Sequence, residues 1–195
     1  MALLFAVAMD LRAATPVEGS AEVVTNALSV LSGRARGELQ TVNVYFRDAQ
    51  LRIDFVGARG GTYSLVRPTV GGPFLLLDTR GGAIPLPGHD FPLVFDPVRP
   101  SSGMGLMSDC RKLREGIYAG RNAVQWRYRG ARRRGPGGSD AGSMWLDAQT
   151  GLVLAYDAEG TGRNRPSWDV LKVQYKAQPD AVFAPGPAEP RPRRG

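Results

Sequence analysis

The sequence predicts a mainly β protein built on an antiparallel sheet, and three observations carry that expectation. Apolar residues recur at every second position in several short runs, as strands with one wet face require. Turn-forming residues separate those runs. Finally, 25 Gly and 15 Pro among 195 residues leave little room for long helices. With 43% apolar residues the chain can build a core, which excludes a wholly disordered protein, and its length suits one domain.

Along the chain, residues 20–31 are the ambiguous stretch. Val24, Leu28 and Leu31 suit a helix capped by Ser20, whereas the Thr, Val and Asn content favours a strand, which is the expectation adopted. Val42, Val44 and Phe46 alternate with Thr41, Asn43 and Tyr45. After a four-residue connection at 47–50, Leu51, Ile53 and Phe55 alternate with Arg52 and Asp54, the pattern of a hairpin. Residues 62–67 and 73–78 predict two further strands, and the Pro-rich stretch 85–100 an irregular crossing segment. Residues 104–115 have room for a short helix. Val124, Trp126 and Tyr128 alternate with Gln125, Arg127 and Arg129. A run at 144–146 leads into 147–151, where Gly151 suits a left-handed turn position. Leu152, Leu154 and Tyr156 follow, with Val153 and Ala155 making the other face apolar too; Leu171, Val173 and Tyr175 then alternate with Lys172 and Gln174.

The domain is expected over 15–185, with a disordered basic tail at 186–195. Residues 1–9 form an apolar run too short to span a bilayer, followed by Asp10 and by Ala13 and Ala14. Residues 1–14 therefore suit a signal peptide and a periplasmic or secreted protein, although no basic residue precedes the run. The alternative is a buried N-terminal element of a cytoplasmic protein.

The net charge is +7 and the basic side chains are 22 Arg and 3 Lys, a bias that GC-rich coding explains. The charge is localised: residues 111–134 hold nine basic side chains against Glu115, the tail from Pro187 is net +2, and the rest of the chain is net −3. A nucleic-acid-binding face is disfavoured, because the basic residues form one ribbon on an acidic body. The ribbon suits a solvated hairpin tip, or docking on anionic lipid or a polyanion through Arg127, Arg129, Arg132, Arg133 and Arg134.

Catalytic signatures are sparse. Cys110 is the one cysteine and His89 the one histidine, so neither a disulfide within the chain nor a Cys-based zinc site is expected. No nucleophile elbow, phosphate loop or dinucleotide fingerprint occurs. No cofactor and no enzymatic activity are expected; the remote alternative is a hydrolase using two of the carboxylates Asp54, Asp96, Asp147 and Asp157.

Three motifs occur in order in the C-terminal half: Glu115-Gly-Ile-Tyr-Ala-Gly-Arg-Asn-Ala-Val-Gln-Trp126, Met144-Trp-Leu-Asp-Ala-Gln-Thr-Gly-Leu-Val-Leu154 and Gln178-Pro-Asp-Ala-Val-Phe183. With Leu51-Arg-Ile-Asp-Phe55, this layout resembles the LolA/LolB-like superfamily of bacterial envelope proteins. That resemblance implies a single large, curved antiparallel sheet, an unclosed half barrel, with short helices or loops over its concave face. It also implies a non-enzymatic carrier holding an acyl chain, lipid or acylated protein in an apolar concavity. Val44, Phe46, Ile53, Phe55, Trp126 and Tyr128 are the residues expected on that apolar face. Arg52 is similar in position to a carrier arginine on the second strand. The carriers' N-terminal helix and lid helices have no counterpart here, so the chain is expected to be a divergent relative and not the carrier itself.

Overall fold

The computed structural model describes residues 17–69, 71–86, 91–160 and 165–186. The segment expected to be a signal peptide, the tail from residue 187 and His89 lie outside the described residues.

The strands are β1 (Glu18–Thr25), β2 (Gln40–Arg47), β3 (Gln50–Val56), β4 (Thr62–Arg67), β5 (Phe74–Asp78), β6 (Ala83–Leu86), β7 (Asp109–Tyr118), β8 (Arg121–Arg129), β9 (Gly142–Asp147), β10 (Val153–Ala158) and β11 (Ser167–Tyr175). Together they form one antiparallel sheet in the order β6-β5-β4-β3-β2-β1-β11-β10-β9-β8-β7. The sheet is open, with β6 and β7 as its edges, and the helical elements among the described residues are three short 3-10 turns. Consecutive strands pair as hairpins except β6 and β7, which are the two edges; the one long-range join is that of β1 with β11, from Gly19↔Tyr175 to Thr25↔Trp168.

Turn chemistry sets the registers. Between β2 and β3 the loop is only Asp48 and Ala49, because Arg47 pairs with Gln50; Asp48 takes a positive φ of 50°, which Asp tolerates better than most residues. Between β9 and β10, Gly151 has φ +72° as its position predicts, and a Cβ there would lie 1.7 Å from the Phe95 carbonyl oxygen.

Four expectations need correction. β1 stops at Thr25, and residues 27–33 form tight turns instead of continuing the strand. Local side chains take over the backbone there: Thr25 Oγ1 donates to Ser167 O and accepts from Ala27 N, while Asn26 bonds Arg165 O and Ser167 N. Residues 104–115 are not a helix, since strand β7 covers most of them, held by its pairing with β8 from Asp109↔Arg129 to Tyr118↔Arg121. The crossing segment begins later than expected, because Pro85 and Leu86 belong to β6, an edge strand where a missing N–H is tolerated. Finally, Leu171 points to solvent: a register shift opposite Glu22/Val23 moves it out of phase, leaving Trp168 and Val170 buried.

The chain passes from edge β6 to edge β7 through residues 87–108, of which 91–108 are described. Phe91, Leu93, Phe95 and Met104 join the same core cluster as Val44, Ile53, Trp126 and Leu154. Val94 bridges Leu152, Phe95 N donates to Gly151 O, and Val153 N donates to Leu93 O. The crossing segment is thus a strap that fills the inner side of the sheet over its middle strands. On the other face, Phe183 is buried and Arg47 lies 5.0 Å from its ring while pairing with Asp180 at 2.7 Å. Arg52 donates to Val182 O and Ser64 Oγ and pairs with Asp54 at 2.8 Å. The Gln178–Phe183 motif therefore locks onto β2 and β3 through two arginines.

Candidate functional site

A hollow of about 670 Å³ opens at one end of the inner side. Its apolar wall has three sources. The turns after β1 supply Ala27, Leu28, Val30 and Leu31; strands β4, β5 and β6 supply Leu65, Phe74 and Leu86; the strap supplies Phe91. The fourth side is the β8–β9 loop, with Arg132, Arg133, Arg134, Gly137 and Gly138. A flat sheet would hold β5 and β8, eight places apart in the order, roughly 38 Å from one another. That both regions line one hollow shows how strongly the sheet curls.

Burial grades across this wall. Leu28, Leu65 and Phe74 are closed off from solvent and form the floor, whereas Val30 is 72% exposed and stands at the mouth. The Arg67 guanidinium lies 4.9 Å from the Phe74 ring, on which it packs.

The arginine loop is held in an unusual shape. Arg132 and Arg133 both have positive φ, 48° and 66°, which costs a non-glycine residue roughly 1–2 kcal/mol each. Ordinary hydrogen bonds hold it: Ala131 N donates to Asp140 O, Arg132 N to Asp140 Oδ1 at 2.6 Å, and the Tyr128 hydroxyl pairs with Ser139 Oγ at 2.6 Å. Ala131 is fully buried beneath the loop. Burial is the main cause raising the Tyr128 phenol to about 12, so it stays protonated in this contact. Gly137 is required: a Cβ there would lie 2.0 Å from the buried Tyr156 hydroxyl. The three guanidinium-bearing residues are all exposed.

None of the six residues expected on the ligand-binding face lines this hollow. Val44, Phe46, Ile53, Phe55, Trp126 and Tyr128 lie within the packed core, each 9% exposed or less. The five basic residues also divide. Arg132, Arg133 and Arg134 rim the hollow, while Arg127 and Arg129 are exposed on β8, with Arg127 paired to Glu159 at 3.0 Å. Sequence reasoning passed over Ala27, Leu28, Val30, Leu31, Leu65, Phe74, Leu86 and Phe91 as site residues. The apolar spacing of Leu28 and Leu31 beyond a strand was the available signal.

Three of the four candidate carboxylates have structural partners, and the fourth, Asp157, is exposed on β10. Asp54 accepts from Arg52 and Ser64, and Asp96 from Val98 N and Arg99 N. Asp147 is buried and accepts from Arg121 and from the Tyr175 hydroxyl, at 2.8 and 2.9 Å. Burial pushes its pKa up, but Arg121, the Gln149 amide, Tyr175 and the Thr150 amide outweigh burial and leave it lowered. Cys110 lies 3.8 Å from Met104 sulfur, and burial, with Asp109 nearby, pushes the thiol up to about 11, unlike a reactive thiolate. Among the described residues, no three His, Cys, Asp or Glu side chains group as a metal site, and no helix is long and apolar enough to cross a membrane.

Known structures share the fold. The crystal structure of MucB matches with a TM-score of 0.51 at 20% identity, covering 86% of this chain. This chain spans 57% of the length of that MucB chain. An uncharacterized conserved protein from Thermus thermophilus matches with a TM-score of 0.50 at 11% identity, covering 86% of this chain and 83% of that one. MucB in complex with MucA(peri) matches with a TM-score of 0.49. No family model matches the sequence, and no curated protein matches it.

Proposed function

We propose that this protein is a non-enzymatic binding protein of the bacterial cell envelope. Its hollow takes the acyl chain of a lipid or acylated protein, and Arg132, Arg133 and Arg134 meet an anionic head group at the mouth. One observation carries the proposal: an apolar hollow of about 670 Å³ with three exposed arginines along one side. Its size is within the range of small-molecule sites, and each methylene buried is worth ~0.8 kcal/mol. The LolA/LolB-like layout of the motifs and the N-terminal apolar run support an envelope location. Val44, Phe46, Ile53, Phe55, Trp126 and Tyr128 belong to the packed core, and chain contact falls to Val30, Leu31 and Phe91.

Binding of lysophosphatidylglycerol and lysophosphatidylcholine of equal chain length tests this. Both bind, the anionic lipid more tightly. Val30→Lys weakens both, and Ala at 132, 133 and 134 together removes the preference. Failure of both lipids to bind, or indifference to Val30→Lys, rejects the hollow as the site.

Docking on an anionic membrane surface is a second reading, favoured by the exposure of Arg129 beside the three loop arginines. It predicts vesicle binding that falls steeply with salt and is insensitive to Val30→Lys.

A further inference from the structure

The two edges of the sheet are unlike. β6 is four residues long and contains Pro85, which has no N–H to offer a neighbour. β7 has ten residues and no proline, and it pairs with β8 alone among the described residues. Residues 111–117 are exposed throughout, including Leu113 at 47% and Ile117 at 70%. We propose that the free edge of β7 receives an extended acidic segment of a partner protein, added as a further antiparallel or parallel strand. This site is separate from the hollow and does not depend on the lipid-binding reading.

The edge is built to hold its shape. The β7–β8 turn has positive φ at both central residues, Ala119 at 49° and Gly120 at 73°, the geometry that matches strand twist. On one face, Gly116 leaves room for the Trp145 ring, Arg114 lies 5.2 Å from that ring, and Tyr118 packs on it at 5.5 Å. The Tyr118 hydroxyl also donates to Asp169 of β11 at 2.8 Å, anchoring the hairpin tip. A strand so fixed presents its backbone groups without further ordering, the condition for strand addition.

Charge selects the occupant. The β7–β8 hairpin carries Arg111, Lys112, Arg114, Arg121, Arg127 and Arg129 against Asp109 and Glu115. A second copy paired edge to edge would bring two such hairpins together. An acidic strand meets the same features as attraction, and apolar residues at alternate positions would cover Leu113 or Ile117.

The probe is a labelled peptide of alternating Glu and Val, offered to the full chain. Binding is read by fluorescence anisotropy and its location by hydrogen exchange. The peptide binds and slows exchange of β7 amides; the Lys/Val counterpart and a proline-interrupted Glu/Val peptide do not. Ile117→Glu and Arg111→Glu change exposed side chains, leave the melting temperature in place, and each weaken binding about tenfold or more. The proposal is overturned by no binding of the Glu/Val peptide, by equal binding of the proline-interrupted peptide, or by protection confined to other strands. Sedimentation showing a dimer that Ile117→Lys dissociates would assign the edge to a second copy and overturn it likewise.

Discussion

The inner side of the sheet is finished in two different ways. In one region, Phe46, Ile53, Phe55, Trp126 and Leu154 share a packed core cluster with Leu93, Phe95 and Met104 of the strap, and the space is filled. Toward β4–β6 a comparable apolar surface, Leu65 and Phe74, faces a hollow bounded by turns and the arginine loop. Both regions arise from the same alternating pattern. What differs is the connection that lies over them, so the same pattern of strand residues builds a core in one place and a site in the other.

The largest expected effect breaks the filled half. Phe46→Ala removes a buried ring that also meets Tyr175 edge-on at 6.0 Å, and should cost ~3–5 kcal/mol in urea denaturation. Next is the contact between strap and sheet. Gly151→Ala combines a left-handed backbone with a Cβ driven against the Phe95 carbonyl, and should cost ~2–4 kcal/mol in the same assay.

A smaller effect depends on pH. Because the folded pKa of Asp147 is lowered, its stabilising contribution is complete above its unfolded value of about 4 and is lost as pH falls through the folded value. Asp147→Asn should cost ~2–3 kcal/mol at neutral pH and flatten the fall in stability below about pH 4, measured by denaturation across pH. The smallest effect sharpens the open half: Val30→Ser should change stability by no more than about 0.5 kcal/mol while weakening lipid binding.

Much of the sheet was legible because period-2 alternation records which side of a strand is covered. Val42 to Phe46, Leu51 to Phe55 and Val124 to Tyr128 all became strands with the expected faces buried. What alternation cannot record is what covers that face. Phe46 and Trp126 looked like the wall of a cavity because the strap's alternation, Phe91, Leu93 and Phe95, is short and lies in a proline-rich stretch that reads as an irregular crossing. The hollow was illegible for the same reason: its residues come from turns after β1, three strands, the strap and a hairpin loop. Only long-range curvature brings these together. β7 was missed because its side chains are exposed on both faces, leaving no alternation to detect.

The pairing of β1 with β11 also has a consequence for how the protein assembles. Of the ten joins in the sheet, nine connect neighbours in the chain and form by local hairpin closure. The tenth brings Gly19 to Tyr175. Loop closure over that span carries the greatest entropic cost, so two meanders, β1–β6 and β7–β11, are expected to form first and zip together at this seam. The strap tethers their outer ends meanwhile, turning an encounter between two half-sheets into a search within one molecule.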